Sequence, residues 1–386
     1  MMTNRERFLA VLNGKSPDRV PWLPRIQLWY NARIAEGTMP ERFRGMTISQ
    51  VEDAIGIGDP ARNGRVYKVR REGVDIRTTQ KGGVILTEYV TPVGTVTESR
   101  VTTDQLDGYS DSGLPVDHPI KGAADYPVWE YIVEHTYYDP CYEDYIAYDR
   151  QVGDRGFPMV GAGDVPFHHF SLMLCGYNQA FYELVDHTAQ VEHLLTVMEQ
   201  VERERLWPVL ADSPALLFNH GVHFDSQMTP PPMFEKYIKP YYQDFSKLLH
   251  SRGKKLSFHA DDDTKLLLGL VKESGYDMAE CFATAPMVTV TLEEARAAWG
   301  TDVIIYGGIP SVILEDTTPQ EEFEEYVRDV FRVIAPGDAI ILGIADNAMP
   351  RTIIERVEWI SRMVEQHGNY PIRPEQVSYG LATSGS

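Results

Sequence analysis

The stretch KKLSFHADDD, residues 254–263, closes an apolar run with the imidazole of His259 and then three carboxylates, Asp261, Asp262 and Asp263. A carboxylate beside an imidazole can orient the ring and help it hold a proton. The same nitrogen and oxygen donors could also bind a divalent ion, with Glu280 or Cys281 completing the set. MAECFATAP sets Glu280 and Cys281 inside an apolar strand. An unpaired charge is expensive there, so Glu280 reads as a functional group rather than a packing residue. Further polar residues end other apolar runs. They are Arg25 and Gln27, Asp164 and His168, Asn219, His220, His223 and Asp225, and Asp346 with Asn347. Each also has a structural reading. His259 could satisfy a buried carbonyl, Asp263 could cap the next helix, and Asp346 with Asn347 could form a loop turn.

The elements that must position these groups follow from periodicity. Thr3 and Glu6 have capping-box spacing, and Phe8, Leu9, Val11 and Leu12 give the helix they start an apolar side that ends at Gly14. Residues 19–30 read as a buried strand passing into a loop. Residues of about 64–102 alternate apolar and polar with Gly and Pro turns between runs, which predicts an antiparallel β-meander inserted into the main domain. From about 155 the rhythm is strand, loop, helix, repeated to a final helix over about 350–367. Pro240 lies inside one of these helices and predicts a kink. Such alternation predicts a parallel sheet. With the N-terminal strand it fits one (β/α)8 TIM barrel over residues 1–386; an open doubly wound sheet is the alternative. No GxGxxG or P-loop motif supports nucleotide binding. In a barrel the C-terminal strand ends carry the chemistry, and the polar residues above collect there.

The 386 residues are 43% hydrophobic and 24% charged, with a formal net charge of −20. That length and composition suit a large core. So acidic a chain disfavours nucleic acid. Three cysteines, with no CxxC, indicate a reducing compartment and a cytoplasmic protein. No run reaches the roughly 18 apolar residues of a membrane span. The N-terminal segment is too short and too charged for a signal peptide, and the terminal ATSGS reads as a disordered tail.

Several blocks, in order, resemble the uroporphyrinogen decarboxylase superfamily, which includes corrinoid-dependent methyltransferases. They are RERFLAVLNGKSPDRVPWLPR, TPPPMFEKYIKPYYQDFSKLLHSRGKKLSFHADDD, ECFATAPM, EARAAWGTDVIIYGGIP and GIADNAMP. The resemblance implies a (β/α)8 barrel. Its decarboxylases carry an arginine pair after the first strand; RIQLW keeps Arg25 and lacks the second. Its thiol-methylating branch holds zinc with His-x-Cys and a later Cys; here the motif is His259-Ala260-Asp261, and IADNAM has no cysteine. The resemblance that remains is to the O-demethylase branch, which moves a methyl group from a methyl ether, often an aryl one, to a corrinoid. No Asp-x-His-x-x-Gly loop is present, so the cobalamin would come on a separate protein docking at the barrel mouth.

That branch's chemistry assigns roles. Phenolate leaves poorly unless protonated. Glu280, its pKa raised by burial, is the expected proton donor, with His259 as the other candidate and Asp261 orienting it. Asp346 and Asn347 would hold a second substrate oxygen, and Trp22, Phe167 and Tyr306 would supply flat walls. Asn219, His220, His223, Arg25 and Gln27 complete the expected binding set. Zinc at His259, Asp261, Glu280 and Cys281, and a homodimer, are further expectations. The rival readings are a decarboxylase using Arg25 on a carboxylate and a non-catalytic barrel that binds a tetrapyrrole or a partner.

Overall fold

The computed structural model describes residues 1–102 and 113–377; the terminal ATSGS lies outside them. Twelve strands occur among the described residues: β1 (Tyr67–Arg71), β2 (Asp75–Lys81), β3 (Val84–Thr91), β4 (Gly94–Val101), β5 (Leu114–Asp117), β6 (Thr136–Pro140), β7 (Met159–Gly161), β8 (Leu217–Val222), β9 (Lys255–His259), β10 (Met278–Phe282), β11 (Ile304–Pro310) and β12 (Ile340–Ala345). The last six form one parallel sheet in the order β12-β11-β10-β9-β8-β7. Helices separate them, among them Thr188–Val201, Lys239–Ser251, Leu292–Trp299 and Gln320–Ile334. Strands β10 to β12 are buried along their whole length, which is why they read as continuous apolar runs rather than alternations.

Single parallel bridges extend both flanks of the sheet, Trp22 to Leu342 on one side and Asp59 to Gly156 and Gly64 to Val160 on the other. A backbone hydrogen bond of 3.0 Å from Gly58 N to Trp22 O links the two flanking segments. The expected strand over residues 19–30 shortens to the Trp22 bridge and an antiparallel one from Arg19 to Asn369. The chain turns instead into a helix, Gln27–Ala35.

The N-terminal helix, Asn4–Leu12, opens with the capping box of Thr3 and Glu6. Its Phe8, Val11 and Leu12 pack with Leu23, Met159, Leu217, Met278, Ile304 and Ile341. Most of these are the first residues of their strands, so this helix closes the N-terminal end of the sheet and leaves the other end for polar groups. Pro240 sits at the start of Lys239–Ser251, just after a π-helical turn over Phe234–Ile238. The helix is interrupted ahead of the proline, where a missing N–H costs least.

The alternating region of about 64–102 divides. β1 leaves it to pair antiparallel with β6, while β2, β3, β4 and β5 form a separate antiparallel sheet. That sheet leans on the helix Tyr126–Glu134 through Tyr89, whose ring meets Trp129 edge-on at 5.5 Å. Among the described residues no helix is long and apolar enough to cross a membrane.

Candidate functional site

His259 is the last residue of β9, Glu280 and Cys281 lie near the end of β10, and Asp346 directly follows β12. Parallel neighbours in register bring these ends together, with Glu280 opposite His259. The strand ends are locally distorted. The β10–β11 register shifts between Glu280 and Phe282, and His223, Cys281 and Asp346 all have positive φ, at 52°, 56° and 49°. Non-glycine residues rarely adopt this conformation, and it concentrates where function fixes a side chain. Gly307 relieves the bulge: a Cβ there would stand 2.5 Å from Phe282 N.

Glu280 is completely buried. Its Oε2 accepts from His259 Nδ1 at 2.7 Å and from Asn219 Nδ2 at 3.4 Å. Its Oε1 accepts from the Cys281 thiol at 2.9 Å and faces Arg62 Nε at 3.1 Å. The expected raised pKa is overturned. Burial pushes the carboxyl up, but Arg62, the charge and hydrogen bond of His259, and Arg25 together hold it well below the ordinary range. Glu280 is therefore an anion with its cations supplied, not the group that carries a proton.

His259 is the group that does. Burial alone would lower its pKa; Glu280, Cys281, Asp261 and Asp346 raise it well above the usual value. With Nδ1 held by Glu280, Nε2 lies 3.2 Å from Asp261 Oδ2 and 3.3 Å from Asp346 Oδ1. Asp261 also accepts from His223 Nδ1 at 2.8 Å, and Asp262 stands 3.4 Å from the same nitrogen. Hydrogen bonds to Asp261 and Asp262 raise His223 to about 10. Arg25 pairs with Asp346 and reaches the Cys281 sulfur at 3.8 Å. Burial raises the Cys281 thiol above its ordinary value.

The cup thus holds four cationic groups, Arg25, Arg62, His223 and His259, against four anionic ones, Glu280, Asp261, Asp262 and Asp346. Arg62 was not among the expected residues. It lies in DPARNGRV, a turn-like run without periodicity. The pairing of residues 58–64 beside β7 brings it to Glu280, so the cup holds two arginines, Arg25 and Arg62.

The other expected residues scatter. Trp22 is core, its indole donating to Ser361 Oγ at 2.9 Å. Phe167 stacks on Tyr237 at 4.6 Å, in the helical layer. His220 is enclosed by Tyr241, Tyr242 and Phe245, and burial lowers it to about 4. Tyr306 is beside Glu280 in register, but its ring packs against Phe8 and its hydroxyl donates to Leu23 O at 2.7 Å. None of the three aromatics walls the cup. Asn347 Oδ1 accepts from Leu28 N at 3.3 Å, anchoring the helix Gln27–Ala35, while its Nδ2 is buried without a partner. Gln27 is exposed and, with Arg25 and Arg62, lines a cavity of about 250 Å³ beside the cup.

The donors also fit a divalent cation. Ligand atoms of His259, Cys281 and Asp346 lie within 4.8 Å of one another, and Asp261 Oδ2 flanks the same Nε2. Glu280 on Nδ1 has the outer position of a carboxylate–histidine–metal arrangement, so it orients the ring rather than ligating. A second group, His223, Asp261 and Asp262, shares Asp261.

Residues 118–367 match the family model "Uroporphyrinogen decarboxylase (URO-D)". Among solved structures the chain is similar to a methyltransferase from Methanosarcina mazei, at 13% identity and a TM-score of 0.56, over 95% of this chain and 99% of that one. This likeness is one of fold. A muconate lactonizing enzyme from Pseudomonas putida overlaps 78% of each chain at 10% identity, but its TM-score of 0.23 is too low to bear on the fold. No curated protein matches the chain.

Proposed function

Because the chain belongs to the uroporphyrinogen decarboxylase family, we propose that it is a methyltransferase of the family's corrinoid-dependent O-demethylase branch, moving a methyl group between a methyl ether, most simply an aryl one, and a corrinoid on a separate protein. The six-stranded sheet and its flanking bridges at Trp22, Asp59 and Gly64 support a closed (β/α)8 barrel in a single domain. The cup at its C-terminal face is then the active site.

The observation that carries this reading is the internal pairing of every cation in the cup. Arg25 and Arg62, which a decarboxylase would use on a substrate carboxylate, are engaged by Asp346 and Glu280. A polyanionic porphyrinogen would have to displace both. A neutral ether would displace neither.

A corrinoid on the carrier would supply the nucleophile for the methyl carbon. The residues of this chain act on the other side of the breaking C–O bond, whose electron pair stays on oxygen. His259 Nε2 holds a proton that can pass to that oxygen, Glu280 fixes the ring and steadies its charge, and Asp261 and Asp346 aim Nε2 into the cup. His223 and Arg25 in turn hold the two aspartates. Zinc would take the place of the Nε2 proton: His259 Nε2, Asp261, Asp346 and Cys281 would hold it, and it would supply Lewis-acid stabilisation of the leaving oxygen instead. The carrier would dock at the barrel mouth, in the cytoplasm.

The test is incubation with guaiacol or veratrole and reduced cobalamin. The corrinoid absorbance should change to that of the methylated form, with one catechol or guaiacol released per methyl group. Release of carbon dioxide from a carboxylated substrate, with no corrinoid methylation, would favour the decarboxylase instead.

A further inference from the structure

A further cavity, open at its rim, lies away from the cup. β1, β6, the helix Tyr126–Glu134, the chain after β7 and the end of the helix Thr188–Val201 surround a cavity of about 210 Å³. No residue of the cup lines it. A cavity of roughly 150 Å³ accepts a benzene ring, so this one has room for a ring with a substituent.

Its lining combines flat apolar walls with polar groups that lack partners. The rings of Tyr67 and Tyr138 meet edge-on at 5.4 Å, and Trp129 forms a further wall. Among the described residues the hydroxyls of both tyrosines and the imidazole of His169 have no hydrogen-bond partner. The indole N–H of Trp129 is buried without one. Tyr67, Tyr138 and His169 are half-buried, but buried polar groups are normally satisfied, so the open indole N–H beside the cavity points to something that fills it. Arg71, exposed at the end of β1, also lines the cavity and makes no ion pair among the described residues. Deeper in, Glu202 accepts from Tyr241 at 2.7 Å, and burial raises it to about 8; Asp164 also lines the cavity, its Oδ2 engaged by His168 at 2.7 Å.

We propose that this cavity is a binding site for a single-ring aromatic carboxylate, with the carboxylate on Arg71 and the ring between Trp129, Tyr67 and Tyr138. The anion stays at the rim, where a guanidinium can bind it in bidentate fashion. The ring's far edge reaches His169 and Glu202, which can exchange hydrogen bonds with a ring hydroxyl. The site is independent of the cup chemistry and stands or falls without it.

Calorimetric titration of the full chain with benzoate tests it. Binding tighter than about 1 mM is expected, weakened about tenfold or more in Arg71→Met, which loses a charge-assisted pair at an exposed position. Val201→Phe, which fills the space from a lining position, should abolish binding without lowering the melting temperature. Benzyl alcohol, the neutral counterpart, should bind more weakly than benzoate. Absence of benzoate binding, equal binding of benzyl alcohol, or binding that survives both substitutions would overturn the assignment. A cavity that holds only solvent would show the first of these.

Discussion

Glu280 Oε2 lies 2.7 Å from His259 Nδ1, at the ring nitrogen opposite the one that faces Asp261 and Asp346. The imidazole is fixed at both ends, so its direction is set before any substrate arrives. Preorganisation of this kind lets a short, fully buried carboxylate govern chemistry it never touches.

Glu280→Gln keeps an oxygen to accept from Nδ1 and removes the charge. Methyl transfer should fall about a hundredfold or more, in the range expected for weakening a general acid, with little change in substrate affinity. Corrinoid absorbance during turnover measures it. Full activity would show that the charge of Glu280 has no part in the reaction.

Metal content is the second test. Zinc bound at Nε2 should be lost on treatment with a chelator and sharply reduced in Asp346→Ala and Asp261→Ala. Glu280→Gln should weaken it by about 10–100-fold, as removal of an outer carboxylate does. Elemental analysis of each purified variant reads the outcome. A chain that binds no zinc even on titration would leave the imidazole proton as the sole electrophile.

Arg62→Met leaves Glu280 buried with one cation fewer. Breaking a buried pair costs about 3–5 kcal/mol, so denaturant melts should show a marked loss of stability. Arg70, whose exposed side chain pairs with Asp139 at 2.8 Å, is the control. Its alanine variant should melt close to the parent, as expected for a solvent-screened surface pair.

Glu202 gives the pH dependence of stability a sign. Its folded pKa of about 8 lies above the ordinary carboxylate value. The folded state therefore holds a proton that the unfolded chain releases at lower pH. Between about pH 4.5 and 8 this group makes stability fall as pH rises, and its penalty is complete above 8. Glu202→Gln should flatten that slope in chemical melts at several pH values. An unchanged slope would show that Glu202 titrates normally.

Gly307→Ala would place a methyl 2.5 Å from Phe282 N, at a φ of +145°. Both the clash and the conformation are unfavourable for a side chain, and a loss of about 2 kcal/mol or more is expected. Thermal melting checks it, and activity should fall as well, because the bulge aims Cys281 and Glu280.

Much of this arrangement was legible in the residues. Buried parallel strands betray themselves as apolar runs, and a polar residue that ends such a run is conspicuous; His259, Glu280 and Asp346 were visible for that reason. The sign of the Glu280 shift was not, because it depends on Arg62, which joins through backbone pairing that leaves no local pattern. Trp22, Phe167 and Tyr306 misled for a related reason. An aromatic residue announces burial, but nothing in its neighbours says whether it faces the mouth, the lower core or the surrounding helices. His220 differs from Asn219 by one position, and strand alternation sends it to the outer face.

The left-handed backbone at His223, Cys281 and Asp346 has an evolutionary corollary. Holding three side-chain-bearing residues in that conformation taxes the fold for the sake of turnover. A descendant that abandoned the reaction could relieve that conformation with glycine at Cys281, where no ion pair is lost, whereas glycine at His223 or Asp346 would strand the charges they pair with.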